Sequence, residues 1–136
     1  MKQKIALVIE GSSEGDVWGR VVCEDNLIVE SAADITKLKR KMKKLLNDFH
    51  SLAADEVDFE IQYDITGLFE DKKYLNASVV ADLAGISRGL MRQYAAGIKY
   101  PSEDRLKKIE TTIHSLGNEL ASIKVAPPKK KVLEKA

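Results

Sequence analysis

Between Asn76 and Ser102 the sequence is punctuated so closely that only short helices fit there. Asn76 has a side chain suited to capping a helix start, and behind it Val79, Val80, Leu83 and Ala84 make one apolar helical face. Gly85 ends that segment, since glycine enters the left-handed conformation of a tight turn without steric cost. Ile86 follows as a buried link and Ser87 caps again. A second short helix then carries Met91 and Tyr94 inward to about Ala96, with Gly97 terminating it. Pro101 and Ser102 start another helix.

Two short helices that meet at a tight turn need a small residue where they cross, a residue tolerant of positive φ between them, and apolar anchors that lock the angle. Ala81, Gly85 and the set Val80, Ala84, Ile86, Met91 and Tyr94 meet these demands. An ordinary helical bundle could use the same residues merely to pack. The outward side of the second helix argues for a helix-turn-helix DNA-binding module instead: Ser87, Arg88, Gly89, Arg92 and Gln93 project there without a single acid. Arginine forks fit guanine, glutamine fits adenine, and a serine with helix-start amides holds a phosphate. Lys99 and Tyr100, in the loop that follows, are placed to touch the DNA backbone.

The stretch AGISRGLMRQYAAGIKYPS at 84–102 resembles the Cro and lambda-repressor type of helix-turn-helix, also called the XRE family. The likeness rests on its small residue, Gly85, the Ser87-Arg88 start and the Gly97, Pro101-Ser102 exit. It implies binding to double-stranded DNA by a homodimer or higher homo-oligomer. The chain differs from that family in having Ala77 where Gln is frequent and Ala95 where Glu is frequent.

Upstream, the patterning changes. Lys4 to Glu10 and Val17 to Val22 are β-rich around the glycine-bearing stretch 11–16, and Asp25-Asn26 offers a second turn before Leu27 to Val29. This predicts a three-stranded meander. Ser31, with Asp34 three positions on, predicts the cap of a long amphipathic helix whose stripe is Ile35, Leu38, Met42, Leu45, Phe49 and Leu52. Val57 to Tyr63 alternates apolar and polar residues, the period of a half-buried strand that joins the sheet. The fold class is therefore α+β: a β-β-β-α-β domain over 1–64, an all-α helix-turn-helix domain over 65–125, and a basic tail over 126–136 whose lack of periodic apolar positions predicts disorder. That tail reads either as a solubilising extension or as loose phosphate contacts. The basic run Lys37, Lys39, Arg40, Lys41, Lys43 and Lys44 reads either as a solvated helix face or as a nucleic-acid patch.

Charge divides the chain in the same place. Residues 1–66 hold 9 Lys and Arg against 13 Asp and Glu, a net −4, while residues 67–136 hold 13 against 8, a net +5, together the +1 of the whole. One half suits a polyanion and the other a basic partner.

The N-terminal half resembles the HicB antitoxin family in Ala6-Leu7-Val8-Ile9-Glu10, Gly15, Val17-Trp18 and Ser31 to Ile35. The resemblance implies a partner-binding domain that neutralises a small basic mRNA-cleaving toxin, and a DNA-binding domain that represses the shared operon. It also brings in a nuclease reading, because HicB domains are similar to a reduced RNase H fold. Glu10, Asp16, Glu24 and Asp25 are the carboxylates such a metal site would need, but acids at strand ends and turns are common for solubility, so no catalytic role is expected. The rival reading is an orphan regulator whose N-terminal domain serves oligomerisation or ligand sensing.

A lone Cys23, with His50 and His114 far apart in sequence, predicts neither disulfide nor metal nor other cofactor and suits a reducing cytoplasm. The apolar run Ile5 to Ile9 is too short for a signal-peptide core or a membrane span. After Ser102, Leu106, Ile109, Ile113, Leu116 and Leu120 recur at helical spacing. They form either core or a dimer seam, with Gly117 a candidate break.

Overall fold

A computed structural model describes residues 2–11 and 15–129. Strands β1 (Gln3–Glu10), β2 (Val17–Cys23) and β3 (Asn26–Ala32) are followed by helix α1 (Ile35–His50), a 3-10 turn and β4 (Val57–Tyr63). The sheet order is β3-β2-β1-β4, antiparallel throughout except that β4 runs parallel to β1 from the Gln3–Val57 pair onward. A parallel neighbour needs a crossover, and α1 supplies it. Four helices complete the chain: α2 (Ile65–Asp71), α3 (Ala77–Ala84), α4 (Arg88–Ala95) and α5 (Glu103–Ala121).

Alternation along the strands sends Ile5, Leu7, Ile9, Val21, Cys23 and Val57 to one face, where Leu38, Met42 and Leu46 of α1 cover them. This corrects the expected stripe. Leu46 takes the fully buried position, Leu45 only flanks the core, and Phe49 is 73% exposed. With Leu38 and Met42 facing the sheet, a strict four-residue step keeps Leu46 on the same side. The cap differs too. Asp34, and not Ser31, accepts the Lys37 N–H at 2.7 Å, because β3 extends through Ser31 to Ala32. α1 stops at His50: Ser51 adopts φ 56° and Leu52 lies beyond it, with its N–H donating to the Leu46 carbonyl at 3.3 Å. That is a Schellman-type ending, which shortens the expected helix.

The helical region encloses a second core of Ile65, Val80, Ala81, Ile86, Met91, Tyr94 and Ile109. α2 was not foreseen; Asp64 caps it, accepting the Gly67 N–H at 2.7 Å. It joins the two regions by packing against both β1 and α4. Gly67 makes that approach possible, since a Cβ there would run into the Ile9 carbonyl oxygen. α5 continues through Gly117 without a break. No helix among the described residues is long and apolar enough to cross a membrane. Residues 123–128 form neither helix nor strand, and the rest of the predicted tail beyond residue 129 lies outside the described residues, as do residues 12–14 of the first turn.

Candidate nucleic-acid interface

The local signals that place α3 and α4 act where the sequence put them. Asn76 Oδ1 accepts the N–H groups of Ser78 and Val79 at 2.9 and 3.2 Å, and Gly85 adopts φ 73° with its N–H bonded back into α3. Ser87 Oγ accepts the Leu90 N–H at 3.2 Å, and Gly97 adopts φ 76° at the exit. Ser102 caps α5 through the Arg105 N–H at 3.3 Å. Each cap satisfies helix-start donors that would otherwise lack a partner, so the ends of both helices are fixed within a residue or two.

Val80, Ala81, Ile86, Met91 and Tyr94 are buried and lock α3 against α4, with Ala84 packed at the margin. Val79 and Leu83, expected on the same inward face, are exposed at 45% and 59%. On a helix of only two turns the inward positions are Ala77, Val80, Ala81 and Ala84, and the two larger residues fall on its flank. From outside the pair, α4 is held by α2 and α5. Arg105 Nη1 donates to the Tyr94 hydroxyl at 2.7 Å, and Thr66 Oγ1 donates to the Tyr94 carbonyl at 3.4 Å.

The outward side of α4 borders a shallow groove lined by Ser87, Gly89, Leu90, Arg92, Gln93, Ala96, Ile98 and Lys99. Five of the seven predicted contact residues therefore share one surface. Gln93 is half-buried there, and its carbonyl accepts the Ile98 and Lys99 N–H groups at 2.9 and 3.3 Å, which ties the loop to the helix. Tyr100 is not on the groove. Exposed at 87%, it borders a second cleft between the sheet and the helices, alongside Lys99, Arg20, Asp64 and Tyr94.

Arg88 is engaged elsewhere. Its Nε and Nη2 donate to the two carboxylate oxygens of Asp82 on α3, at 3.1 and 2.6 Å. Those hydrogen bonds hold the Asp82 carboxyl below the usual carboxylate range. Sequence reasoning missed this partner because Asp82 and Arg88 belong to different helices and meet only across the glycine turn. Both side chains are solvent-exposed, so the fork is a weak bond that a phosphate or a guanine edge can compete for. Arg92, by contrast, forms no ion pair with the described residues.

In the sheet region the carboxylates considered for a metal nuclease do not gather into a ligand set among the described residues. Glu10 pairs with Arg20 at 3.2 Å, and Arg20 also reaches Asp64 at 3.8 Å. The ligand-type residues that do converge are Cys23, Glu24 and His50. His50 lies far along the chain from Cys23 and Glu24, and that distance hid the set. The uncovered face of the sheet carries exposed Trp18, Val22, Leu27 and Val29, which the β2–β3 register sets side by side: Trp18 opposite Ser31, Val22 opposite Leu27, and Arg20 opposite Val29. Comparison with protein-family models, curated proteins and solved structures gives no match for this chain.

Proposed function

We propose that the chain is a DNA-binding transcriptional regulator of helix-turn-helix type, resembling an HicB antitoxin in its division of labour. The observation that carries this reading is the outward face of α4: cationic, free of acids, and mounted on a helix pair whose caps, turn and anchors are fixed. α4 enters the major groove of double-stranded DNA, Arg92 and Gln93 read base edges, Ser87 and the first amides of the helix hold a phosphate, and Lys99 touches the backbone. Arg88 exchanges the Asp82 carboxylate for DNA. One such helix buries too little surface for tight specific binding, so the regulator acts as a homodimer on paired half-sites. The far end of α5 and the segment just after it support this, since Leu120 and Ile123 are exposed beyond the core.

The acidic sheet region takes the partner. Its open face offers aliphatic and tryptophan surface on β2 and β3, with the exposed acids Asp58 and Glu60 of β4 at the opposite edge of the sheet, a combination suited to a small basic toxin. Selection of bound sites from random double-stranded DNA should yield a palindromic sequence. The Arg88→Ala, Arg92→Ala double variant should lose specific binding to it with an unchanged circular dichroism spectrum. Unchanged affinity in that variant would falsify the placement of α4. Sedimentation at micromolar concentration should show a dimer. A pull-down from the native host should recover a small basic protein; recovery of only the chain itself would favour the orphan regulator, whose sheet serves oligomerisation.

A further inference from the structure

Cys23 is the last residue of β2 and faces the core, Glu24 opens the two-residue turn to β3, and His50 is the last residue of α1. The fold stacks the hairpin turn against the end of the helix. One ligand atom from each side chain lies within 4.8 Å of the others, and His50 Nδ1 is 3.3 Å from Glu24 Oε2. We propose that Cys23, Glu24 and His50 bind a thiophilic divalent cation of the zinc class, which fastens the β2–β3 turn to the C-terminus of α1.

The donor set fits that cation and few others. A thiolate, an imidazole nitrogen and a carboxylate oxygen are the three ligand types of Zn2+, whereas Mg2+ and Ca2+ demand oxygen. In a tetrahedral zinc site the bond lengths set N···O at ~3.4 Å and S···N at ~3.6 Å. The Glu24–His50 pair already has that spacing, and closing the widest gap takes a movement of about 1 Å. Charge also balances: one thiolate and one carboxylate neutralise a dication, so no net charge is left in a half-buried position. Access is one-sided. The His50 side chain is 4% exposed and Cys23 is buried, while the Glu24 side chain is 73% exposed and leaves a fourth coordination position open to water.

The backbone holds these ligands in place independently of any cation. Glu24 and Asp25 both have positive φ, 50° and 66°, the geometry of a tight two-residue hairpin turn, and Ser51 at φ 56° stops α1 directly after His50. Binding replaces the thiol proton of Cys23 with the metal and releases that proton to solvent. Burial and the neighbouring Glu24 push the thiol pKa up.

Cobalt tests the proposal optically. The full chain, metal-free and kept reduced by a phosphine, should develop a thiolate-to-cobalt charge-transfer band on addition of Co2+. Zn2+ at one per chain should erase it and Mg2+ should not. Cys23→Ser should remove the band. Glu24→Gln and His50→Gln, which leave the buried thiol in place, should each weaken Zn2+ binding, measured against a chromophoric chelator, by more than about tenfold. His114→Gln should change nothing, and Zn2+ should raise the Tm of the native chain but not of the Cys23→Ser variant. Absence of the charge-transfer band in the native chain overturns the site. So does Zn2+ affinity that survives both Glu24→Gln and His50→Gln. None of these readouts involves DNA, so the site stands or falls apart from the regulator reading.

Discussion

The sheet region closes its core through residues far apart in the chain, Gln3 beside Val57 and Leu38 over Leu7, whereas the helical region closes its own within residues 65–109. Their outer surfaces differ as sharply. The sheet leaves Trp18, Val22, Leu27 and Val29 uncovered within an acidic half, while α4 presents Arg92, Ser87 and Gly89 from a basic one. A surface that gains by shedding water suits a protein, and one that gains by exchanging counterions suits a polyanion. The contrast teaches that two small cores on one chain can be specialised separately, provided the joint between them is tight enough to carry both.

The largest expected effect separates the cores. Leu38→Ala empties a fully buried position beneath the sheet and should cost about 3 to 4 kcal/mol by denaturant unfolding. If the two regions melt independently, hydrogen exchange of α3 and α4 amides should remain protected in that variant; common loss of protection would show that α2 couples them. The joint itself comes next. Gly67→Ala drives a methyl into the Ile9 carbonyl and should destabilise by roughly 2 kcal/mol, with exchange rising in both β1 and α2. A change confined to one region would mean that the contact is incidental.

Smaller effects sharpen the helical side. Asn76→Ala removes two capping hydrogen bonds and should cost about 1 kcal/mol, read as a lowered midpoint with an unchanged m-value. Least of all, Asp82→Asn frees Arg88 and removes an acid beside the groove, which should tighten DNA binding roughly two- to fivefold at low salt. The pH dependence has a definite sign. Because pairing lowers the Asp82 pKa in the folded chain, its contribution is present above the ordinary carboxylate range and is lost as pH falls through the lowered value. The Asp82 carboxyl resonance should titrate below that range and return to it in Arg88→Ala.

Much of the helical region was legible because its signals are short-range. A cap acts on amides two or three residues away, and Gly85 and Gly97 set the backbone at their own positions, so Asn76, Ser87 and Ser102 could be read directly. The strand alternation of Val57 to Tyr63 was equally plain. The misreadings fall where packing chooses among similar residues. Leu45 and Leu46 are adjacent leucines, and only the approach of α1 to the sheet selects the second. Val79 and Leu83 read as core, but a two-turn helix held by α4 and α5 buries the smaller alanines instead. α2 was overlooked because seven residues carry little periodicity.

By itself the sequence determined the order of the elements other than α2 and the 3-10 turn, the change from sheet to helices near residue 64, and the outward residues of α4, since each depends on propensities and hydrogen bonds spanning a few positions. Only the tertiary structure decided that Arg88 is held by Asp82, that Tyr100 faces the cleft between the regions, and that Cys23, Glu24 and His50 stand together. Those meetings depend on sheet register and on the crossing of separate elements. No local rule encodes them, because the free energy that brings such residues together comes from burying the cores beneath them.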